Sequence, residues 1–260
     1  MRALICAFVF AAAALGSARA AEVEKCPDMV ASRPPFLKAA LAGDRVRLTF
    51  IGHASFLIET PGGTTAITDY NDYMRMPVTP VIATMNKAHS THYSSHPDPA
   101  IKRVLRGWRV EGDGPRWDVT EGDLHVRNVP TNIRSWESGA TEYDGNSIFI
   151  FEAAGLCIAH LGHLHHRLTP DHVKEIGHID VVLAPVDGSY TLGVQGMLET
   201  IATLRAPLTI PMHIFGPSTL ARFLDLAREK FEISNAGSNS VEIGRSSLPP
   251  KPTILVLDGR

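Results

Sequence analysis

The segment VRLTFIGHASFLIETPGGTTAITD, residues 46–69, decides the architecture. VRLTFIG (46–52) and SFLIET (55–60) have strand composition, Pro61-Gly62-Gly63 is a tight-turn signal, and TTAITD (64–69) returns as a third strand, so the stretch predicts a meander. Further along, VIATMN (81–86) is a short apolar run bounded by turn chemistry and predicts a buried strand, and 98–107 predicts a helix. WDVTEGDLHVRNV (117–129) and NSIFIFEAAGLCIAHLG (146–162) predict more strands, with a long loop around 132–146. From there strand and helix alternate. Helices are expected at 169–176, 194–204 and 218–230, and strands at DVVLAPV (180–186) and PLTIPM (207–212). In 194–204, Val194, Met197, Leu198, Ile201 and Leu204 fall on one helical face. A meander followed by alternating strands and helices predicts an α/β chain of two sheets covered by helices, in one domain.

In the other direction, residues 21–45 have little periodicity and form a lead-in, and residues 1–20, MRALICAFVFAAAALGSARA, read as a secretory signal. Arg2 gives the positive start, the apolar run of residues 3–15 is too short for a comfortable membrane span, and Ala18-Arg19-Ala20 offers a small-x-small cleavage site. The expected product is a periplasmic or secreted protein with no stable membrane span after cleavage, its main domain filling 46–260. Loss of Arg2 and Arg19 takes the formal charge from -2 to -4. No basic excess recommends nucleic acid as a partner. In an oxidising compartment Cys26 and Cys157 could pair, although Cys157 sits in a run that also reads as core, and two cysteines are too few for a Cys-based zinc site.

Twelve His are present, four of them within 160–166. Several polar residues fall just past strand ends: Asp69, Lys87, His89, His92, His163, Asp187 and His213. Groups so placed converge on one edge of a sheet, and neutral imidazole is a common zinc ligand, so the set predicts a metal site.

GHASFLIETPGGTTAITD (52–69), IAHLGHLHHRLTPDHVKEIGHIDVVLAPVDGSYTLG (158–193) and TIPMH (209–213) together resemble the metallo-β-lactamase superfamily, and are closest to its branch of ascorbate-6-phosphate lactonase and phospholipase-D-like N-acylethanolamine enzymes. The resemblance spans nearly all of 46–230 and implies a four-layer αββα sandwich with a metal site at one edge of its two sheets. The family's H-x-H-x-D-H stretch corresponds to Lys87-Ala88-His89-Ser90-Thr91-His92, its mid-chain His to Asn132, its metal-bridging Asp to His163 and its last His to His213. One family metal position therefore retains only His89, flanked by Lys87 and Asn132. The other retains His92, His163 and His213, with Thr91 in place of the Asp. The resemblance thus implies a mononuclear site, with one Zn2+ per chain, or another divalent ion such as Mn2+ or Fe2+. His89 would be a fourth ligand or a near neighbour. Asp69 would act in catalysis or hold a His tautomer, and His53, Asn132, Thr91 and Asp187 would orient ligands. Lys87 would stabilise an oxyanion, and would favour an anionic small-molecule substrate if it points into the cleft.

Two functions remain open. One is an exported metal-dependent hydrolase acting on a lactone, phosphodiester or amide-like substrate. The other is a non-catalytic relative that keeps the scaffold and binds a ligand or metal. His165 and His166 are expected at the mouth of the site or in solvent, and His96, His125, His172 and His178 at the surface. No G-x-S-x-G elbow or phosphate loop occurs.

Overall fold

A computed structural model describes residues 44–259 apart from Asp113 and Trp136. The expected signal, nearly all of the lead-in, and Cys26 lie outside the described residues. The first sheet is built from β1 (Val46–Gly52), β2 (Ser55–Glu59), β3 (Thr65–Ile67), β4 (Ile82–Met85) and β5 (Arg103–Arg106). The second takes β6 (Asp118–Glu121), β7 (Leu124–Arg134), β8 (Thr141–Ala153), β9 (Leu156–His160), β10 (Val181–Pro185) and β11 (Leu208–Met212). Three helices punctuate the later strands: α1 (Pro170–Ile176), α2 (Val194–Leu204) and α3 (Pro217–Ala227). Of the last strands, β13 (Ser240–Ile243) joins the first sheet, while β12 (Glu232–Asn235) and β14 (Thr253–Val256) join the second. The orders are β13-β1-β2-β3-β4-β5 and β12-β14-β11-β10-β9-β8-β7-β6.

Alternation in the sequence sets which face each side chain takes. Leu48, Phe50, Phe56 and Ile58 of the first sheet meet Phe149, Phe151, Ile158, Leu183 and Ile210 of the second in the core between the sheets. Arg47, between two core residues, points out and pairs with Glu242 and Glu59. The other face of the second sheet, including Ala159, Val182 and Ala184, packs against Met197, Leu198 and Ile201 of α2 and Phe223 of α3. β10 is buried along its whole length, as expected of a central strand with parallel neighbours and both faces covered. On the outer face of the first sheet, Tyr70, Met74 and Met76 of the segment after β3 cover Leu57 and Ile67. The β2–β3 turn is fastened by Asp123, which accepts from Thr60 Oγ1 at 2.5 Å and from Gly62 N at 2.6 Å.

Three expectations change. The helix expected at 98–107 is absent; Pro97 and Pro99 resist helix, and Arg103–Arg106 adds a parallel edge strand beside β4. The loop expected at 132–146 is largely strand, because β7 and β8 extend as a long hairpin with a register irregularity between Thr131 and Ile133. His125 is not a surface residue. It is buried, with Nδ1 3.1 Å from Glu152 Oε2 and Nε2 2.7 Å from Asp118 Oδ1.

His125 therefore has a pH-dependent role. Its hydrogen bond to Glu152 raises its pKa; burial opposes this and Asp118 assists it. A histidine pKa raised in the folded state stabilises fully below the unfolded value of about 6.5, and the benefit is lost as pH rises through the folded value. His125→Gln is expected to cost about 1.5–3 kcal/mol at pH 5.5, the range for hydrogen bonds to charged groups, and less at pH 9. Urea unfolding at both pH values measures this. A difference independent of pH would show that His125 is neutral.

Candidate metal centre

The ends of β1, β3, β4, β9, β10 and β11 meet at one edge of the sandwich, and the loops leaving them carry the imidazoles. Parallel strands such as β9, β10 and β11 commonly present ligand sites at their carboxyl ends. A register irregularity between Phe50 and Gly52 ends β1, and a bulge of this kind re-aims the side chains that follow. His53, Asp69 and His213 all have left-handed backbone, with φ of 53°, 44° and 57°. Each such non-glycine residue costs on the order of 1–3 kcal/mol, and such strain concentrates at functional sites. A backbone hydrogen bond from His213 N to His53 O at 2.6 Å ties the end of β11 to the end of β1 across the two sheets.

His53, His89, His92 and His213 offer donor nitrogens that all lie within 4.8 Å of one another. Nε2 of His53 and His92 and both ring nitrogens of His213 are buried with no hydrogen-bond partner among the described residues. Burial, with the neighbouring imidazoles, lowers the pKa of His53 to about 2 and that of His92 well below its ordinary value; burial and His213 lower that of His89. These shifts favour the neutral rings, and the Nε2 atoms of His53 and His92 are claimed by no hydrogen bond.

Carboxylates and a hydroxyl fix the rings from behind. Asp69, fully buried, accepts from His92 Nδ1 at 2.5 Å and from Asn86 Nδ2 at 3.0 Å, which turns His92 Nε2 inward. Burial raises the Asp69 carboxyl to about 6, against the opposing pull of His160 and Asn86. Asp187 Oδ1 lies 3.0 Å from His213 Nδ1, while its Oδ2 accepts from the backbone of Ser189, Tyr190 and Thr191. Burial would raise the Asp187 carboxyl, but the bonds to His213 and Thr191 together hold it well below the usual range. Thr91 Oγ1 sits 2.7 Å from His89 Nδ1.

Of the expected metal ligands, His89, His92 and His213 are brought together, and His163 stands against them with its Nε2 3.1 Å from His89 Nε2. Asp69, Asp187 and Thr91 each stand behind a ring. Lys87 lies at the surface in an ion pair with Glu142. Asn132 Oδ1 accepts from Asp144 N, and its backbone N donates to His166. Sequence reasoning did not place His53 among the donors, nor His160, which is buried beside Asp69 and bonded to Ala54 O. It also passed over Asn86 and Asn146, which are wholly buried and hydrogen-bonded to Asp69 and to His163 N respectively. Of these, His53 had a signal, since it directly follows a predicted strand.

Beside His213 opens a cleft of about 580 Å³ lined by Asp187, Ser189, Tyr190, Phe215, Thr219 and Arg222, among others. Tyr190 and Phe215 are exposed there, with ring centroids 5.2 Å apart, and the Phe215 ring is 5.0 Å from that of His213.

Residues 47–213 match the family model described as the beta-lactamase superfamily domain. A metal-dependent hydrolase of Methanoculleus marisnigri is 26% identical over 182 residues, which cover 65% of this chain and 80% of that protein. Another from Archaeoglobus fulgidus is 26% identical over 197 residues, covering 65% and 83%. Among solved structures, a Thermotoga maritima protein assigned as a Zn-dependent hydrolase of the metallo-β-lactamase superfamily is 30% identical, with a TM-score of 0.61 over 83% of this chain and 100% of that one.

Proposed function

Since the chain belongs to the metallo-β-lactamase superfamily, we propose that it is a metal-dependent hydrolase that holds one divalent ion, zinc, through His53, His89, His92 and His213. The observation that carries this reading is the convergence of four imidazoles, of which His53, His92 and His213 have inward nitrogens that are buried and have no hydrogen-bond partner. Leaving such atoms unsatisfied is costly, and a metal ion satisfies several at once. The donor chemistry fits: neutral imidazole backed by a carboxylate is a common ligand of zinc. A bound divalent ion supplies Lewis acidity and lowers the pKa of water toward ~7.

The protein supplies orientation around that chemistry. Asp69 keeps the His92 proton on Nδ1, so its Nε2 stays available, and Asp187 stands 3.0 Å from His213 Nδ1. Phe215 and Tyr190 give the adjoining cleft an apolar wall, and the hydroxyls of Ser189 and Thr219 give it a polar one. That mixture suits a small molecule with a flat or apolar part next to a hydrolysable lactone, phosphodiester or amide-like bond. The Lys87–Glu142 pair weakens the case for Lys87 as the group that meets a substrate anion. Export to the periplasm or medium rests on residues 1–20, and N-terminal sequencing of the native protein, with Ala21 first, tests it.

Metal analysis of protein purified without chelator is expected to give about one tightly held ion per chain, with hydrolysis lost on chelation and restored by zinc. Two ions per chain would overturn the mononuclear arrangement. No retained metal, with hydrolysis indifferent to chelator, would overturn the metal-dependent reading.

A further inference from the structure

Hydrogen bonds around the second half of the His cluster fix where its protons lie. A backbone N–H can only donate, and Arg134 N of β7 donates to His165 Nδ1 at 2.7 Å. A neutral His165 must then carry its proton on Nε2, which sits 2.5 Å from His163 Nδ1. His163 Nδ1 is therefore an acceptor, and the one proton of neutral His163 is on Nε2. That N–H points at His89 Nε2, 3.1 Å away, and His89 in turn carries its proton on Nδ1, 2.7 Å from Thr91 Oγ1. The chain runs one way: Arg134 N–H to His165, His165 to His163, His163 to His89, His89 to Thr91. No other assignment of neutral rings satisfies every step, because reversing any one of them puts two lone pairs or two protons face to face. His166 is held alike, its Nε2 accepting from Asn132 N at 3.1 Å and its Nδ1 donating to Arg167 O at 2.8 Å. Both extra His of the 162–166 loop thus dock on backbone N–H groups of β7.

We propose that His163 is not a metal ligand but a hydrogen-bond donor aimed into the centre of the site, held as its Nε2–H tautomer by His165. The inference rests on the proposed metal centre of His53, His89, His92 and His213. A ligating nitrogen must present a lone pair. His163 Nε2 presents a proton, and its Nδ1 lone pair is taken by His165. With His89 Nε2 committed to an ion, the His163 N–H loses its acceptor while its ring stays 4.9 Å from those of His89, His92 and His213. It then faces the space where the reacting oxygen of a substrate sits, and donates there. His165 acts only through His163 and is a positioning residue. This departs from the sequence-based expectation, in which His163 took a ligand's place because its position corresponds to the family's bridging Asp.

The test uses protein with 15N-labelled histidine, stripped of metal and then loaded with zinc. Long-range proton–nitrogen spectra are expected to show His163 and His165 as Nε2–H tautomers, with the His163 Nε2 proton retained on loading. Replacing His165 with Leu is expected to release His163 into a mixture of tautomers, which loss of packing alone would not do. By calorimetry, His163→Gln is expected to bind zinc within about threefold of the wild type, one ion per chain, whereas His213→Gln binds at least about 100-fold more weakly, as loss of a ligand requires. Loss of the His163 Nε2 proton on zinc loading, a His163 Nδ1–H tautomer, or zinc binding by His163→Gln as weak as by His213→Gln would overturn the proposal. If wild-type protein fails to bind zinc, the metal centre itself is wrong, and the tautomer of His163 in the metal-free spectrum still decides the donor assignment.

Discussion

His92→Gln is expected to weaken zinc binding by about 10²–10³-fold and to abolish hydrolysis with it. Structural zinc sites are worth about 10–16 kcal/mol over four ligands, so each ligand carries some 2.5–4 kcal/mol, which is that range in affinity. His92 is wholly buried between the cluster and Asp69. Asp69→Asn provides the graded companion. Both Asp69 oxygens accept, one from His92 Nδ1 and the other from Asn86 Nδ2, so an Asn must turn its own NH2 on one of these donors. Metal affinity is expected to fall by about 10–100-fold, the range for partners that orient a ligand from behind. Calorimetric zinc titration of both variants checks the order. An Asp69→Asn protein that binds like the wild type would mean that His92 is oriented by its packing alone.

Gly162→Ala is expected to cost about 2–4 kcal/mol and to lower Tm by roughly 5–15 °C. Gly162 has φ of 61°, and a Cβ there would lie 2.4 Å from Asn146 Oδ1 and 2.5 Å from Asn86 Nδ2. The left-handed backbone accounts for about 1 kcal/mol, and the rest comes from forcing apart two buried side chains. Those asparagines have no slack. Asn146 accepts from His163 N and donates to Thr131 and Leu161, while Asn86 bridges Asp69 and Ser147 N. The damage is therefore expected to reach the metal centre as well, weakening zinc binding along with stability. Differential scanning calorimetry with and without zinc measures both. A Tm within 2 °C of wild type would show that the asparagines move aside at little cost.

Strand placement was legible wherever alternation and turn chemistry coincided, as in residues 46–69, and the last two helices were legible from their apolar faces. Residues 98–107 misled because a short stretch containing Ile101 and Leu105 fits either period, and only its pairing with β4 makes Arg103–Arg106 a strand. The site was legible as a set of polar residues past strand ends. The proposed donor role of His53 was signalled only by its place directly after a predicted strand, since its aim depends on a bulge and a left-handed backbone that sequence does not announce. The proposed assignment at His163 was not legible, since it depends on the proton of a backbone amide in β7, 29 residues away in sequence and reached through His165. Length of strand also hid His125: the extended β7–β8 hairpin puts it directly opposite Glu152.

The bond from His213 N to His53 O has a kinetic meaning. The four proposed donors come from the loops after β1, β4 and β11, so no hairpin or crossover unit of the chain holds all of them. Contacts this distant in sequence close late, because loop-closure entropy must be overcome before they yield anything. The ion therefore cannot nucleate this fold as it does a zinc finger. An ion held by these donors would arrive at a chain whose two sheets have already docked, and its uptake during refolding is expected to trail the recovery of tertiary structure, so that metal capture would mark the completion of the sandwich.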